Sequence, residues 1–296
     1  MAGIDINRTT AGINLPPEVS NEIWSETLTN SAVMQLARQV TLPGPGITVP
    51  IITGDPVADW VDETDEKPVS RSTFGQKNMT PYKLAVIEPF SNEFRRDLPG
   101  LYAELARRLP FALGRKFDDT VFNGTAPGSN FDVLSASPSM ALDGTNTWGD
   151  LIAIQGAIAA AGGNNTGWAF SPQAEGIALG AVDTTGRPMF VSDMQNTGSI
   201  GSLLGRPVFV SRAVYRADAD GAGVGTAAQI GFAGDWSNAM YGTVAGIQMR
   251  MSDQATLNDG GTQINLWQRN MFALLVEVEI GFIVRNVNQY VKITNG

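Results

Sequence analysis

Apolar residues recur every four positions at the start of the second third of the chain: Leu101, Leu105, Leu109, Leu113, Phe117 and Val121. That spacing keeps them on one face of a helix. Pro99 suits a first turn, where its missing amide hydrogen costs nothing, and Gly124 suits a stop. The pattern predicts one helix from Pro99 to about Asn123, about 37 Å long at ~1.5 Å per residue. Pro110 lies inside it, removes one hydrogen bond and is expected to kink it.

Other periodicities are shorter. Residues 1–15 follow neither helical nor strand spacing and read as an extended arm. Pro16 and Pro17 then open a helix over Pro17–Thr29, and a second short helix is expected over Ser31–Gln39. Turn residues at Pro43–Gly46 precede a β-branched strand, Ile47–Ile52. Residues 53–78 are polar and weakly patterned. Beyond them, Tyr82, Leu84 and Val86 alternate with Lys83, Ala85 and Ile87, which predicts a strand. We read Ile51–Pro89 as one long two-stranded excursion. A lone hairpin is marginal in water, so it should lie on something else. Ser91–Asp97 reads as a helical turn.

Beyond the long helix, Thr147-Trp148-Gly149-Asp150 has capping-box spacing before an Ala/Ile-rich helix that Gly162 and Gly163 end. Trp168–Phe170 is a strand, and Ser171-Pro172 opens a helix to about Val182. Strands are expected at Arg206–Ser211, Gln229–Ala233, Gly246–Met251, Thr262–Leu266, Phe272–Ile283 and Gln289–Ile293. The first half of Phe272–Ile283 would also suit a buried helix. There is no internal repeat, and the class is α+β.

Composition removes whole chemistries. The 296 residues contain no Cys and no His. Disulfides, thiol nucleophiles, Cys/His zinc sites and imidazole bases are therefore excluded. The formal net charge is −9, which disfavours a protein that grips nucleic acid through phosphate contacts. The N-terminus lacks the cationic and apolar runs of a signal peptide. The longest apolar stretch, Met271–Val284, carries Glu277 and Glu279 and is too short to span a bilayer. We expect a soluble protein made in a cytosol.

Candidate catalytic motifs fail on spacing. Asp183-Thr184-Thr185-Gly186 has one residue too many for an aspartic-protease loop and no second copy, so it reads as a turn. Asp218-Ala219-Asp220-Gly221 lacks the acidic residues of a calcium loop. The glycines from Gly221 to Gly225 are not followed by a P-loop Lys-Ser/Thr and read as a linker. None of Lys67, Lys77, Lys83, Lys116 and Lys292 follows a Ser at three-residue spacing. No catalytic, cofactor or metal residue is assigned.

Charge is distributed unevenly. Asp55, Asp59, Asp62, Glu63, Asp65 and Glu66 place six acids in 12 residues of the excursion. Arg95, Arg96, Arg107, Arg108, Arg115 and Lys116 gather bases along the long helix. These are either two solvated faces or two halves of a contact between copies of the chain.

Several segments, in this order, carry a resemblance. They are Ala58-Asp59-Trp60-Val61-Asp62-Glu63, Lys67-Pro68-Val69-Ser70 to Phe74, Tyr82-Lys83-Leu84-Ala85-Val86, and Pro89-Phe90-Ser91-Asn92-Glu93 to Asp97. They continue with Asn123-Gly124-Thr125, Pro127-Gly128, Leu204-Gly205-Arg206-Pro207-Val208 and Gly234-Asp235-Trp236. Over about residues 40–295 the chain resembles the major capsid proteins of tailed bacteriophages, the Hong Kong 97-type fold. The resemblance implies an N-terminal arm with short helices (1–45), an E-loop hairpin (46–90) and a kinked spine helix (91–127). It further implies a mixed α/β axial domain (128–242) and return strands with a C-terminal strand (243–296).

The function implied is a virion shell protein without enzymatic activity or cofactors, assembled in the host cytoplasm into hexamers and pentamers. It would enclose double-stranded DNA without sequence-specific binding and have no membrane partner. Many members carry an N-terminal scaffolding segment, for which this chain, starting at Met1, has no room, so a separate scaffolding protein, or none, is expected; a portal and a decoration protein are the other implied partners. Some family members crosslink a Lys to an Asn through a Glu. Lys67 and Lys77 lie in the E-loop, but no acceptor matches. In the family the E-loop reaches the next subunit, so Asp62, Glu63, Asp65 and Glu66 are expected over Arg95, Arg96, Arg107, Arg108 and Arg115 of a neighbour. Arginine's planar fork suits carboxylates. Two other readings are an encapsulin-type nanocompartment shell, disfavoured by the non-helical arm, and a carboxylate/serine hydrolase, for which nothing pairs.

Overall fold

The computed structural model describes residues 31–54, 56–63, 66–93, 99–182, 201–217 and 227–296. The expected helix Pro17–Thr29, the Asp183–Gly186 turn and the Asp218–Gly225 loop lie outside them, as do Asp65, Arg95 and Arg96.

The chain enters through α1 (Ala32–Leu36) and β1 (Arg38–Thr41), then makes β2 (Ile47–Gly54), β3 (Thr73–Met79) and β4 (Tyr82–Ser91). The long helix α2 (Pro99–Phe122) continues through Pro110. Its Leu109, Leu113, Phe117 and Val121 are buried, as their spacing requires. They pack on a sheet built around one long strand. After β5 (Ser139–Ala141), α3 (Thr147–Ala160), β6 (Gly167–Phe170), α4 (Pro172–Leu179), β7 (Ser202–Leu203), β8 (Arg206–Val210), β9 (Gln229–Gly234), β10 (Ala239–Thr243), β11 (Gln248–Ser252), β12 (Thr256–Asp259) and β13 (Thr262–Asn265), the chain reaches β14 (Met271–Val284) and β15 (Tyr290–Thr294).

Strand β14 is the axis of the first sheet. β4 lies antiparallel along one side, while β10 and β11 follow one another along the other. β1 adds to β10 in parallel. Phe90, Leu109, Leu113, Phe272, Leu274, Val276 and Val278 form one core between α2 and this sheet.

The second sheet runs β5-β15-β9-β6-β8-β7. Both its faces are covered. Trp168, Phe170, Ile230, Val291 and Ile293 meet Leu151, Ile154 and Ile158 of α3 and Ala174 and Ala178 of α4. On the other face, Phe232 stacks on Phe122 at the end of α2 with ring centroids 5.0 Å apart. The Gly234-Asp235-Trp236 segment explains itself here. Asp235 accepts from Asn238 Nδ2 at 2.9 Å and from Ser237 N at 3.2 Å. Trp236 is buried in the core and donates to Gly167 O at 3.0 Å. Leu204 (φ 50°) and Gly205 (φ 72°) make the tight turn between β7 and β8.

The structure corrects four readings. The second short helix ends at Leu36, because Arg38–Thr41 pairs with β10 as a strand. The excursion's two strands are Ile47–Gly54 and Thr73–Met79. Tyr82–Ser91 has the predicted alternation but pairs with β14 over ten residues, where Leu84 and Val86 reach the α2 core. Asn146, not Thr147, is the N-cap of α3, and it makes no side-chain cap bond. Ser91 is the last residue of β4, and the expected Ser91–Asp97 turn lies largely outside the described residues. Met271–Val284 is strand throughout. Its inward residues alternate against α2, which a helix could not satisfy together with β4 and β10. Strands β1, β3, β5, β7, β10 and β12 were not foreseen.

Candidate subunit interface

The β2–β3 hairpin is held firmly at its base. Gly46 has φ +92° and lies under the Met79 carbonyl, so a side chain there would be strained and obstructed. Met79 is fully buried with Leu42 and Ile283, and Ile47 and Val49 pack beside them. Lys77 Nζ donates to Asp132 Oδ2 at 2.5 Å and to Val284 O at 2.9 Å. Asp132 Oδ2 also accepts from Val284 N at 2.9 Å. One carboxylate therefore joins the hairpin, the loop after α2 and the end of β14. Lys77 is engaged by the subunit's own body.

The far end is open. Trp60 is 100% exposed, and Val57, Val69 and Phe74 are more than two-thirds exposed. The limbs are tied where Val57 N donates to Ser70 Oγ at 2.8 Å. Asp62, Glu63 and Glu66 are exposed beside this apolar group. A large apolar surface in water, rimmed by charge, is the usual signature of a contact site.

Arg108 and Arg115 are exposed on α2, as is Lys116, which pairs with Asp119 at 3.1 Å. Arg107 lies on the same helix. Among the described residues, no ion pair within the chain joins Asp62, Glu63 or Glu66 to this helix.

A residue the sequence reading missed ties the entering chain to the long helix. Asp118, fully buried on α2, accepts from Ser31 Oγ at 2.6 Å, Ala32 N at 2.9 Å, Val33 N at 3.3 Å and Ser211 Oγ at 3.2 Å. It caps α1 from outside and binds the turn after β8. Burial pushes its carboxyl up to about 6, and the four hydrogen bonds pull the other way. The signal was present: Asp118 stands in the row Gly114, Asp118, Phe122, all buried. Asn123 adds a second link, donating to Ala213 O at 2.7 Å and accepting from Arg216 Nη1 at 3.0 Å through its carbonyl.

Among the described residues, no group of three or more acids could hold a metal ion. What the geometry presents is a surface for other macromolecules.

A hairpin anchored on its own sheet and open at its tip, a long spine helix and a distal mixed sheet define a shell subunit of the Hong Kong 97 type. The sequence profile of the phage capsid family matches residues 11–295, and the chain belongs to that family. A protein of Mycobacterium phage L5 named "Probable major capsid protein gp17" is 30% identical over 302 residues, covering 95% of this chain and 89% of that protein. A solved structure from Gordonia phage Cozz superposes with TM-score 0.67 at 26% identity, covering 90% of this chain and 86% of that one. One from Mycobacterium phage Ogopogo gives TM-score 0.71 at 18% identity, covering 90% and 92%.

Proposed function

We propose that the chain is the major capsid protein of a tailed phage, a non-enzymatic subunit that assembles as hexamers and pentamers into the head enclosing double-stranded DNA. The hairpin carries this reading. Its base is locked by Lys77 and Asp132, while its tip holds Trp60 wholly in water. A rigid arm with an unburied aromatic end is built to be covered by a neighbour. The net charge of −9 suits a container that holds DNA without gripping it. A separate scaffolding protein, a portal and a decoration protein complete the proposed assembly in the host cytoplasm.

Within that reading, the acidic tip of one subunit lies over the basic helix of the next. Asp62, Glu63, Asp65 and Glu66 face Arg95, Arg96, Arg107, Arg108 and Arg115. Each exposed pair contributes only ~0–1 kcal/mol, but a closed shell repeats it at every contact. Electron microscopy of particles from cells infected by the parent phage tests the function. Tailed shells with nuclease-protected DNA are expected. Shells filled with protein cargo would instead make this an encapsulin, and a subunit that never assembles would remove both readings.

A further inference from the structure

Asp118 joins three pieces of chain. The start of α1 supplies Ser31 Oγ, Ala32 N and Val33 N, the turn after β8 supplies Ser211 Oγ, and α2 carries the carboxyl itself. Three of the four donors therefore belong to α1, which is five residues long. A helix that short has no stability of its own. It is held by these bonds and by the burial of Ala32, Val33 and Met34. The 30 residues before Ser31 leave from this joint.

Among the described residues, no cation touches the carboxyl. α1 has no ionisable residue, and neither has β6 beside it. Arg38, which follows α1, is exposed and donates to Met240 Sδ at 2.9 Å. Arg206 of β8 turns to Asn164 Oδ1 at 3.4 Å. Beyond Ser211, Arg212 and Arg216 are exposed, and Arg216 binds Asn123 O. On α2 itself Arg115 and Lys116 are exposed, and Lys116 pairs with Asp119, the acid next in sequence.

The four donors are thus uncharged, and two of them are hydroxyls. A hydroxyl accepts as readily as it donates. Ser31 Oγ already accepts from Met34 N at 3.1 Å and Ser211 Oγ from Ala213 N at 3.3 Å, which leaves each a lone pair for a proton on Asp118. A Lys or Arg in their place would fix the carboxyl as an anion. These partners can satisfy either form, and burial without an opposite charge favours the neutral one.

We propose that Asp118 is a proton-operated catch: protonated, it holds the entering segment Ser31–Ala37 to the long helix, and ionised, it lets that segment lift away so that water reaches the charge. The opening is local. β1 stays paired with β10 and serves as the hinge. The segment, rather than the turn at Ser211, is the part that moves, because it supplies most of the donors and is tied to the body at one end. The direction follows from linkage. Burial pushes the carboxyl of the closed joint up to about 6, against an ordinary value of 3.8 in water, so the closed joint binds the proton more tightly than the open one. Opening is rarest below pH 3.8 and levels off above about pH 6. Between those values it rises about tenfold per pH unit. The inference stands apart from the capsid reading and concerns how the subunit holds the start of its chain.

Hydrogen exchange of the unassembled full-length subunit tests the catch, with rates corrected for the intrinsic pH dependence of amide exchange. The reporters are the amides of Gln35 and Ala37, which bond to Ser31 O and Val33 O when α1 is closed. Their protection should fall roughly tenfold from about pH 5 to about pH 7.5, the share of the opening equilibrium that lies in that interval. Protection across Gln229–Gly234 of β9 should not change. Asp118→Asn keeps an acceptor and a donor but cannot ionise, so α1 protection in that variant should be independent of pH. Parental α1 protection that is the same at both pH values, or that falls equally in β9, would overturn the proposal. A pH dependence that survives Asp118→Asn would overturn it as well. Should that variant fail to fold, the comparison of α1 with β9 in the parent decides alone.

Discussion

Three tryptophans separate the two ends of the subunit. Trp168 and Trp236 lie in the distal sheet region, buried to 0% and 1%, and each indole N–H finds a carbonyl, Leu203 O at 3.2 Å and Gly167 O at 3.0 Å. Trp60, at the hairpin tip, is 100% exposed. The distal sheet is complete: α3 and α4 cover one face, and α2 and α1 the other. The hairpin is complete only at its base. The same residue type therefore stabilises the subunit at one end and, in the proposed function, the shell at the other. In that reading, folding and assembly use separate surfaces of one chain.

That contrast can be broken most directly at the aromatic residues. Trp236→Ala should lower the stability of the unassembled subunit by about 3–5 kcal/mol in denaturant titration, through the cavity it leaves. Trp60→Ala should change that stability by less than about 0.5 kcal/mol, while reducing shell yield in sedimentation. A large loss of subunit stability from Trp60→Ala would place the tip in the subunit's own core.

Asp118 gives the next largest effect. Asp118→Ala strips four donors, three of them buried, of their acceptor and should cost about 2–4 kcal/mol. The same site has a pH signature. Burial pushes its folded carboxyl up to about 6, above the ordinary carboxylate value of 3.8. The folded subunit therefore holds a proton that the unfolded chain has released. The site's contribution is full below pH 3.8 and is lost as pH rises through about 6. Asp118→Asn should flatten the stability profile between those values. A variant profile parallel to that of the parent would show that Asp118 titrates normally.

A smaller effect is expected where the two regions meet. Asp132→Ala leaves Lys77 Nζ without its carboxylate and Val284 N without its acceptor, a loss of about 1–3 kcal/mol. Hydrogen exchange should speed up across Thr73–Met79 while the distal sheet stays protected. Equal acceleration in both regions would mean that the base of the hairpin is not a separate joint.

The smallest change in subunit stability comes at the charged tip. Glu63→Lys with Glu66→Lys should shift it by no more than about 0.5 kcal/mol. Assembly should nevertheless fall, and Arg107→Glu with Arg108→Glu in the same chain should partly restore it. Failure of that restoration at low salt, where screening is weakest, would separate the acidic tip from the basic helix.

Local pattern carried much of the fold. The four-residue spacing from Leu109 to Val121 specified α2 and its buried face, because helical geometry alone decides which side chains share a side. Ser171-Pro172 specified the start of α4, where Ser171 accepts from Ala174 N. The alternation in Tyr82–Ser91 and the β-branched run at Ile47–Ile52 were legible for the same reason. The charged clusters and Trp60 were legible as candidates, since composition alone separates an acidic tip from a basic helix.

Partners were not legible. Alternation marks Tyr82–Ser91 as a strand, but choosing β14 over β2 depends on which apolar faces meet, and that involves residues almost 200 positions away. The ties made by Asp118 and by Lys77 with Asp132 were hidden too, because a hydrogen bond across 86 or 55 residues leaves no local period. Short-range sterics and periodicity are written into neighbouring residues. Strand pairing, buried carboxylates and the division into a covered sheet and an uncovered arm arise only when distant segments compete for the same core.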